Sequence, residues 1–342
     1  MLWATLPRIV HDRPFSAPRW LSSKHLQSLG AALPLWAPPR SFRPERAEFL
    51  RIPLPRGGTL HAHAWWHDVA PHRRPVAIIV HGVGGSSGSR YVLRAAVSMY
   101  RAGWHVVRLD LRGAGESIPD ALELYHAGLT EDLRVAMDYV GSRAEADGVA
   151  FIGLSLGGHV VLRLAGELGE RHAGPLRAVV SISAPLDLTQ VTRAIERLRS
   201  LPYHRYVLRN LVRQGEAFAR AHPHRARYDA ASLGGLRTIR AYDGHVIAPM
   251  HGFASADDYY TRVSAGPLIK AIRIPTLIVH AEDDPMVPAH TVKPWLLGAP
   301  SAVAQAWSQR GGHVGWFAGM SESLWVDTWA LERARAFLTA LR

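Results

Sequence analysis

Short apolar runs alternate with stretches of helical length along most of the 342-residue chain. The apolar runs, each bounded by Gly, Pro or polar residues, lie at 76–80, 106–109, 149–152, 178–182 and 276–279. Such runs are typical of strands that are buried on both faces of a parallel sheet. The stretches of helical length lie at 90–101, 130–142 and 156–168. This alternation predicts an α/β fold with a mostly parallel central sheet and helices on both of its faces.

The alternation is absent from two segments, which divides the chain into an arm, a core and an insertion. Residues 1–45 are rich in Pro, Trp and Arg, and they predict an irregular N-terminal arm. After Asp187 the chain becomes mostly polar with helical periodicity. We therefore expect a helical cap at 188–270, inserted into a core that comprises 46–187 and 271–342. Open α/β sheets bind their ligands at the carboxyl edge of the strands, where such an insertion forms a lid.

The predicted cap has an apolar side and a basic side. Apolar residues recur at spacings near three and four, which gives a helix one buried side; they are Ile195, Leu198, Leu201, Val207, Leu208, Leu211 and Val212. Arginines mark the opposite side, at Arg193, Arg197, Arg205, Arg209, Arg213 and Arg220. The pattern predicts that the cap turns its apolar side inward and its arginines outward.

A glycine-rich turn follows the predicted strand at 149–152. The stretch Gly153-Leu-Ser155-Leu-Gly157-Gly158 lies between this strand and the helix predicted at 156–168. Such a turn holds its serine in a strained backbone conformation and raises the hydroxyl above the sheet. Glycines are needed two residues before and two after, because a Cβ atom there would collide with the strand and helix. The alternative is a chance Gly-Ser loop, which the setting disfavours, so we predict that Ser155 is a nucleophile.

A second glycine-rich turn, His81-Gly82-Val83-Gly84-Gly85, follows the predicted strand at 76–80. A turn of this kind can direct a backbone N–H at a developing oxyanion, and the residue after the nucleophile supplies another. We therefore expect the main-chain N–H groups of Val83 and Leu156 to form an oxyanion hole. The alternative is a plain strand-to-helix turn. His81 itself is expected to brace the loop rather than to act as an acid or a base.

Where a serine lies in such a turn, an acid and then a histidine are expected further along the chain. The stretch Glu282-Asp283-Asp284-Pro285 follows the predicted strand at 276–279. An acid at the carboxyl end of a strand can accept a hydrogen bond from histidine Nδ1 and stabilise the imidazolium. The Asp-Pro-x-Val-Pro context favours Asp284, and Asp283 is its competitor. Asp187, after the strand predicted at 178–182, is a further alternative.

The candidate base is His313, in Gly312-His313-Val-Gly315 just after a last strand predicted at 302–307. It is the only histidine downstream of His290, among 19 in the chain, and the order of the triad requires one there. His61 and His63 raise the possibility of a metal site. They alternate on a predicted strand without an acidic or thiol partner, so we interpret them as a solvated strand face and expect no metal.

The formal charge of +12 at pH 7 raises the possibility of nucleic-acid or membrane binding. Residues 1–56 and 188–229 each hold nine Arg or Lys against three Asp or Glu. The chain has no run of basic residues and no nucleic-acid motif, so no nucleic-acid partner is expected. An arginine-rich surface is usually a solvated face. Weak contact with an anionic membrane surface is the alternative.

Cysteine is absent, which excludes disulfides, thiolate metal sites and a cysteine nucleophile. No window approaches the ~18 uninterrupted apolar residues that a membrane span needs. The first ten residues lack the cleavage pattern of a signal peptide. We expect a cytoplasmic protein.

Several stretches together resemble the α/β-hydrolases of the YheT, EMB8, ABHD1 and ABHD3 family. They are Trp20-Leu, His25-Leu-Gln27, His81 to Gly85, Arg112 to Ser117, Leu124-Tyr-His-Ala-Gly128 with Thr130 and Asp132, Gly153 to Gly158, Asp243-Gly-His-x-x-Ala-Pro249, Tyr259-Tyr260, Asp283 to Pro285 and Gly312-His313. The resemblance covers about residues 20–320. It implies the α/β-hydrolase fold and esterase- or lipase-type chemistry, with acyl transfer to alcohols among eukaryotic relatives. The animal members carry an N-terminal membrane segment that is not expected here, so their membrane and phospholipid roles are not carried over.

The motifs and the resemblance together predict a serine hydrolase that cleaves carboxylic esters without a cofactor. Lipid-like esters are among the expected substrates. The apolar side of the cap would bury a short to medium acyl chain. Dehalogenase and epoxide hydrolase chemistry is excluded, because both need a carboxylate at the position of Ser155. Two alternatives remain open: an acyltransferase that passes the acyl group to an alcohol, and a non-catalytic module that binds an anionic surface through its arginines.

Overall fold

The computed structural model describes residues 14–32, 46–68, 73–143, 145–171, 174–197, 200–319 and 326–341. Its strands form one eight-stranded sheet in the order β1-β2-β4-β3-β5-β6-β7-β8. The strands are β1 (Glu48–Pro53), β2 (Thr59–Trp65), β3 (Arg74–Val80), β4 (His105–Asp110), β5 (Ala146–Leu154), β6 (Leu176–Ile182), β7 (Thr276–Ala281) and β8 (Val303–Ser308). The pairs β1–β2 and β2–β4 are antiparallel, and all later pairs are parallel. The predicted mostly parallel sheet is therefore confirmed.

Helices cover both faces of the sheet, as predicted. The longer ones are α1 (Lys24–Ala32), α2 (Arg90–Arg101), α3 (Glu131–Gly141), α4 (Leu156–Leu168), α5 (Leu188–Ile195), α6 (Leu201–Ala221), α9 (Ala256–Val263) and α11 (Trp329–Thr339). Short helices are α7 (Ile239–Tyr242), α8 (Ala248–His251) and α10 (Lys293–Leu296), and a π-helical turn at Asp243–Ile247 joins α7 to α8. One core cluster packs α2 and α11 against the sheet, and the other packs α3 and α4 against its opposite face.

The chain between β6 and β7 contains helices and no strand among its described residues. Its arginines are exposed as the pattern predicts, and this holds for Arg193, Arg197, Arg205, Arg209, Arg213 and Arg220. The apolar residues Ile195, Val207, Leu208 and Leu211 are buried. Leu201 and Val212 are half-buried, and Leu198 lies outside the described residues. The segment thus has a buried apolar side and an exposed basic side, as expected of helices with one apolar face.

The N-terminal segment differs from the irregular arm that its composition predicts. Residues 1–13 and 33–45 lie outside the described residues, but Lys24–Ala32 forms the helix α1. Its buried side carries Gln27, Ser28, Gly30 and Ala31. Because these residues are small or polar, α1 can pack closely on a neighbouring loop. For the same reason the sequence shows little apolar periodicity here, and the helix could not be predicted from it. Across the described ranges, no helix combines the length and the hydropathy that crossing a bilayer requires.

Candidate active site

Ser155 occupies a strained turn between β5 and α4. Its φ of 54° and ψ of −120° lie where a residue with a side chain is rarely found. The close packing of the turn explains both flanking glycines. A Cβ atom on Gly153 would lie 2.3 Å from the Gly157 carbonyl oxygen, and one on Gly157 would lie 2.3 Å from the Val80 carbonyl oxygen. The close packing that these two glycines allow therefore holds Ser155 at the carboxyl edge of the sheet.

Asp284, His313 and Ser155 form one continuous chain of hydrogen bonds. His313 Nδ1 lies 2.8 Å from Asp284 Oδ2, and His313 Nε2 lies 3.0 Å from the Ser155 hydroxyl. Asp284 and His313 are buried, at 4% and 6% exposure. With the proton on Nδ1, the imidazole donates to the carboxylate and can accept the serine proton at Nε2. The three predicted residues are thus brought together with the geometry of a nucleophile, a base and an orienting acid.

The three candidate acids have different surroundings. The second oxygen of Asp284 accepts hydrogen bonds from the N–H groups of Met286 and Val287, at 2.8 and 2.9 Å. Asp283 instead accepts from the Gly312 N–H at 2.9 Å, so it holds the histidine loop. Asp187 is the N-cap of α5, where it accepts from the Gln190 N–H. Only Asp284, of the three, contacts the imidazole.

The glycine-rich turn after β3 lies directly beside Ser155, the candidate nucleophile. A Cβ atom on Gly82 would lie 3.1 Å from the Ser155 Cβ. Val83, Ser155 and Leu156 line one cavity together. No described residue accepts a hydrogen bond from the N–H of Val83 or of Leu156. These two groups are therefore available to an oxyanion at Ser155.

Two tyrosines that the sequence patterns did not single out as functional, the half-buried Tyr91 and the buried Tyr125, hold this turn in place. The Gly82 N–H donates to the Tyr91 hydroxyl at 3.0 Å, and the Gly84 N–H donates to the Tyr125 hydroxyl at 2.7 Å. Burial raises the pKa of both phenols, which keeps them protonated. Because the N–H groups on either side of Val83 are fixed, the direction of its own N–H is fixed too. Tyr125 belongs to the Tyr-His-Ala-Gly stretch, which is the sequence signal that could have identified it.

The helix α1 holds the loop that carries His313. The His313 N–H donates to the Ser28 hydroxyl at 2.8 Å, and the Phe317 N–H donates to the Gln27 side-chain oxygen at 2.7 Å. Gly312, at a φ of 61°, is packed so closely that a Cβ atom there would lie 2.5 Å from the Lys24 carbonyl oxygen. The N-terminal segment thus contributes directly to the position of the histidine. Gln27 lies in the His25-Leu-Gln27 stretch of the resemblance.

A cavity of about 360 Å³, here called the outer cavity, opens at Ser155 and His313. Its walls come from α1, the turn after β3 and α6, and they are mostly apolar, with Leu29, Ala31, Val83, Pro202, Tyr203, Tyr206, Val207, Met286 and Val314 among them. His25 Nδ1 lies 2.7 Å from the Tyr203 hydroxyl, which joins α1 to α6 across the cavity. An apolar cavity of this size beside a nucleophile can hold a drug-sized apolar group.

The remaining histidines that the sequence singled out have structural partners. His81 is buried and lies 2.8 Å from the Gly82 carbonyl oxygen through Nδ1, so it braces the loop as expected. His61 is not on a solvated face. It is 5% exposed, and its Nε2 lies 2.7 Å from Asp120. His63 lies 3.3 Å from Glu116, so both have acidic partners that sequence spacing did not reveal. Among the described residues, no group of three or more His, Cys, Asp or Glu could hold a metal ion.

Comparison with known proteins places the chain in a family. Residues 75–295 match the family model of the alpha/beta hydrolase fold. The chain is 31% identical to the putative esterase YheT of Escherichia coli, over 91% of this chain and 89% of that protein. It is 26% identical to the embryogenesis-associated protein EMB8 of Picea glauca, over 78% of this chain and 59% of EMB8. It is 27% identical to the phospholipase ABHD3 of Mus musculus, over 72% of this chain.

The chain spans less than two thirds of the length of two of these relatives, since its match covers 59% of EMB8 and 59% of ABHD3. Among solved structures, the Pyrococcus furiosus esterase Pf2001 superimposes with a TM-score of 0.55 at 16% identity, over 89% of this chain and 98% of that one. At this identity the likeness shows the fold alone. The family model and the match to YheT go further: the chain is a hydrolase of the α/β-hydrolase family and groups with YheT, EMB8 and ABHD3.

Proposed function

We propose that this protein hydrolyses carboxylic esters through an acyl-enzyme on Ser155, with His313 as the base and Asp284 as the orienting acid. The observation that carries the proposal is the chain of hydrogen bonds from Asp284 through His313 to a strained serine at the wall of an apolar cavity. The names of two relatives, an esterase and a phospholipase, agree with this chemistry.

In the first half-reaction His313 takes the proton of the Ser155 hydroxyl as its oxygen attacks the ester carbonyl carbon. The resulting oxyanion accepts hydrogen bonds from the N–H groups of Val83 and Leu156. The imidazolium is stabilised by the Asp284 carboxylate. His313 then gives its proton to the leaving alcohol as the C–O bond breaks, and the acyl group remains on the serine.

In the second half-reaction a water molecule attacks the acyl-enzyme. His313 takes a proton from this water, and the same two N–H groups stabilise the second oxyanion. Collapse of the intermediate returns the proton to the Ser155 oxygen and releases the carboxylic acid. No step requires a cofactor.

The outer cavity is the proposed binding site for an acyl chain of short to medium length. The helical segment 188–270 supplies part of its wall through Pro202, Tyr203, Tyr206 and Val207. We infer that this segment is a cap which excludes water from the ester and binds the chain through its apolar side. A lipid-like ester is therefore the expected class of substrate.

Acyl transfer to an alcohol remains a second candidate, because a further cavity meets the outer one at Ser155 and His313. Two compartments beside one nucleophile could hold an acyl group and an acceptor alcohol at the same time. Analysis of products with and without added alcohol distinguishes the two reactions. Formation of a new ester at the expense of free acid would identify an acyltransferase.

We further propose that the mouth of the outer cavity contacts an anionic membrane surface. Leu29 and Tyr206 line the cavity and are nevertheless 44% and 54% exposed. Arg209 and Arg213 follow Tyr206 at three and seven residues on α6, so they share its exposed face. Neither arginine forms an ion pair within the described part of the chain. Apolar side chains flanked by arginines suit a surface of anionic lipid.

The hydrolytic proposal is tested with purified protein and a p-nitrophenyl ester, comparing the wild type with Ser155→Ala. The variant should lose on the order of 10⁴–10⁶ in kcat, the scale seen when a triad nucleophile is removed. A fluorophosphonate probe should label the wild type and not the variant. Near-wild-type turnover by a folded Ser155→Ala protein would refute the assignment.

A further inference from the structure

Behind Ser155 lies a second cavity of about 100 Å³, here called the inner chamber. Val83, Ser155 and Leu156 form its wall on the catalytic side. Most of the remaining wall is aliphatic and comes from the helical segment between β6 and β7, including Leu188, Val191, Ile195, Leu211 and Ile239. An ester held at the nucleophile can therefore extend one arm into this chamber and the other into the outer cavity.

The inner chamber contains a carboxyl group that the proposed hydrolysis does not use. Asp243 lines the chamber and is only 8% exposed. The Tyr260 hydroxyl donates to its Oδ2 at 2.5 Å. None of the described residues donates to its Oδ1. Because Asp243 lines the chamber, this oxygen is open to a bound group that supplies a donor.

The backbone at Asp243 is also unusual. The residue begins the π-helical turn Asp243–Ile247, which separates α7 from α8. Such turns are rare and occur frequently at functional sites. Tyr259 and Tyr260, on α9, line the chamber beside the carboxyl group. The Asp243 and Tyr259-Tyr260 stretches, which are distant from Ser155 in sequence, thus meet in one compartment.

We propose that the inner chamber binds a short arm of the ester that ends in a hydroxyl group, and that this hydroxyl donates a hydrogen bond to Asp243 Oδ1. The proposal rests on the hydrolytic role of Ser155. The smaller chamber suits the shorter arm, while the larger outer cavity suits the longer one. An arm that ends in a methyl group fills the same space but leaves the carboxyl oxygen without a donor. Sites built to bind a hydroxyl discriminate strongly against an analogue that lacks it.

The hydroxyl can belong to either side of the ester. On the alcohol side, 3-hydroxypropyl butyrate is compared with butyl butyrate, which replaces the hydroxyl by a methyl group. On the acyl side, octyl 6-hydroxyhexanoate is compared with octyl heptanoate in the same way, so that the hydroxyl again lies on the shorter arm. We expect the wild type to prefer the hydroxyl member of one pair by about tenfold or more in kcat/KM. The pair that shows the preference identifies the arm that enters the chamber.

The variant Asp243→Leu should bring this ratio to one or below. Because each ratio is taken within one protein, a change in its overall rate cancels. If Asp243→Leu fails to fold, Val191→Phe provides a second test, since it fills the chamber from another wall and should also abolish the preference. A wild type with no preference in either pair, or a ratio that survives in a folded variant, would overturn the proposal. Failure of the proposed hydrolysis itself would differ, because p-nitrophenyl acetate would then not be cleaved either.

Discussion

The backbone N–H of His313 donates a 2.8 Å hydrogen bond to the hydroxyl of Ser28, although the two residues are 285 positions apart in the chain. The bond joins the candidate base to a helix near the N-terminus. Gln27, the preceding residue, bonds the Phe317 N–H and carbonyl oxygen with its side chain. The position of the imidazole thus depends on α1 as well as on the core.

Ser28→Ala should lower kcat by about tenfold, because loss of one hydrogen bond loosens the histidine loop and small misplacements of catalytic groups are costly. KM for a p-nitrophenyl ester should change little, since the mostly apolar wall of the outer cavity loses only this one hydroxyl. Ser22→Ala is the matched control, because that hydroxyl donates only to the Arg19 carbonyl oxygen. Equal kcat values for the two folded variants would contradict a positioning role for Ser28.

Asp284→Asn should reduce kcat by about 10⁴, since the amide cannot stabilise the imidazolium and favours the wrong tautomer. Asp283→Asn should have a smaller effect, because Asp283 contacts the Gly312 N–H and not the imidazole. Asp187→Asn should leave kcat unchanged, since asparagine also serves as an N-cap. Steady-state kinetics of the three variants ranks them. If Asp283→Asn or Asp187→Asn loses more kcat than Asp284→Asn, that residue and not Asp284 is the orienting acid.

Ester hydrolysis should become more efficient as the acyl chain lengthens from acetate toward medium chains. Each methylene buried in the outer cavity contributes about 0.8 kcal/mol, which corresponds to about fourfold in kcat/KM. The gain should end when the cavity is full. A panel of p-nitrophenyl esters measures the trend. If acetate is the best substrate, the outer cavity does not bind the acyl chain.

Vesicles with anionic lipid should bind the protein more strongly than neutral vesicles, and salt should weaken the binding. Arg209→Gln with Arg213→Gln should reduce binding by about tenfold or more, at about 1 kcal/mol for each arginine near the surface. The matched control neutralises Arg171 and Arg273, which lie after α4 and before β7 at the opposite edge of the sheet. If both double variants co-sediment with anionic vesicles to the same extent, the face that carries Arg209 and Arg213 is not the membrane-binding surface.

Burial raises the pKa of Asp243 to about 7. The hydrogen bond from Tyr260 acts to lower this pKa, and the negative charge of Glu196 acts to raise it. Because the folded protein retains this proton while the unfolded chain loses it near pH 4, the contribution of Asp243 to stability should fall as pH rises from 4 to 7. Asp243→Asn removes that dependence. The difference in melting temperature, variant minus wild type, should therefore increase between pH 4 and pH 7. Above pH 7 this difference should stay constant. A difference that does not change with pH would contradict the raised pKa.

The strands and helices of the core could be predicted from sequence because their apolar runs are continuous and are bounded by Gly, Pro or polar residues. The helices Arg90–Arg101 and Leu156–Leu168 have the predicted bounds. The glycines around Ser155 were equally informative, since each occupies space that a Cβ atom would need. By contrast, α1 is a short helix that buries polar side chains against a loop near the other end of the chain. Such a contact has no periodicity, so neither the helix nor the role of Ser28 was predicted.

During synthesis α1 emerges from the ribosome long before the segment that contains His313. The Ser155 turn can form as soon as β5 and α4 are made. The candidate base, His313, has no fixed position until its loop, which is made late, docks on α1. A partly folded chain with an ordered sheet would thus be inert as a hydrolase. Recovery of turnover during refolding would report the docking of this long-range contact, and it would lag behind recovery of secondary structure.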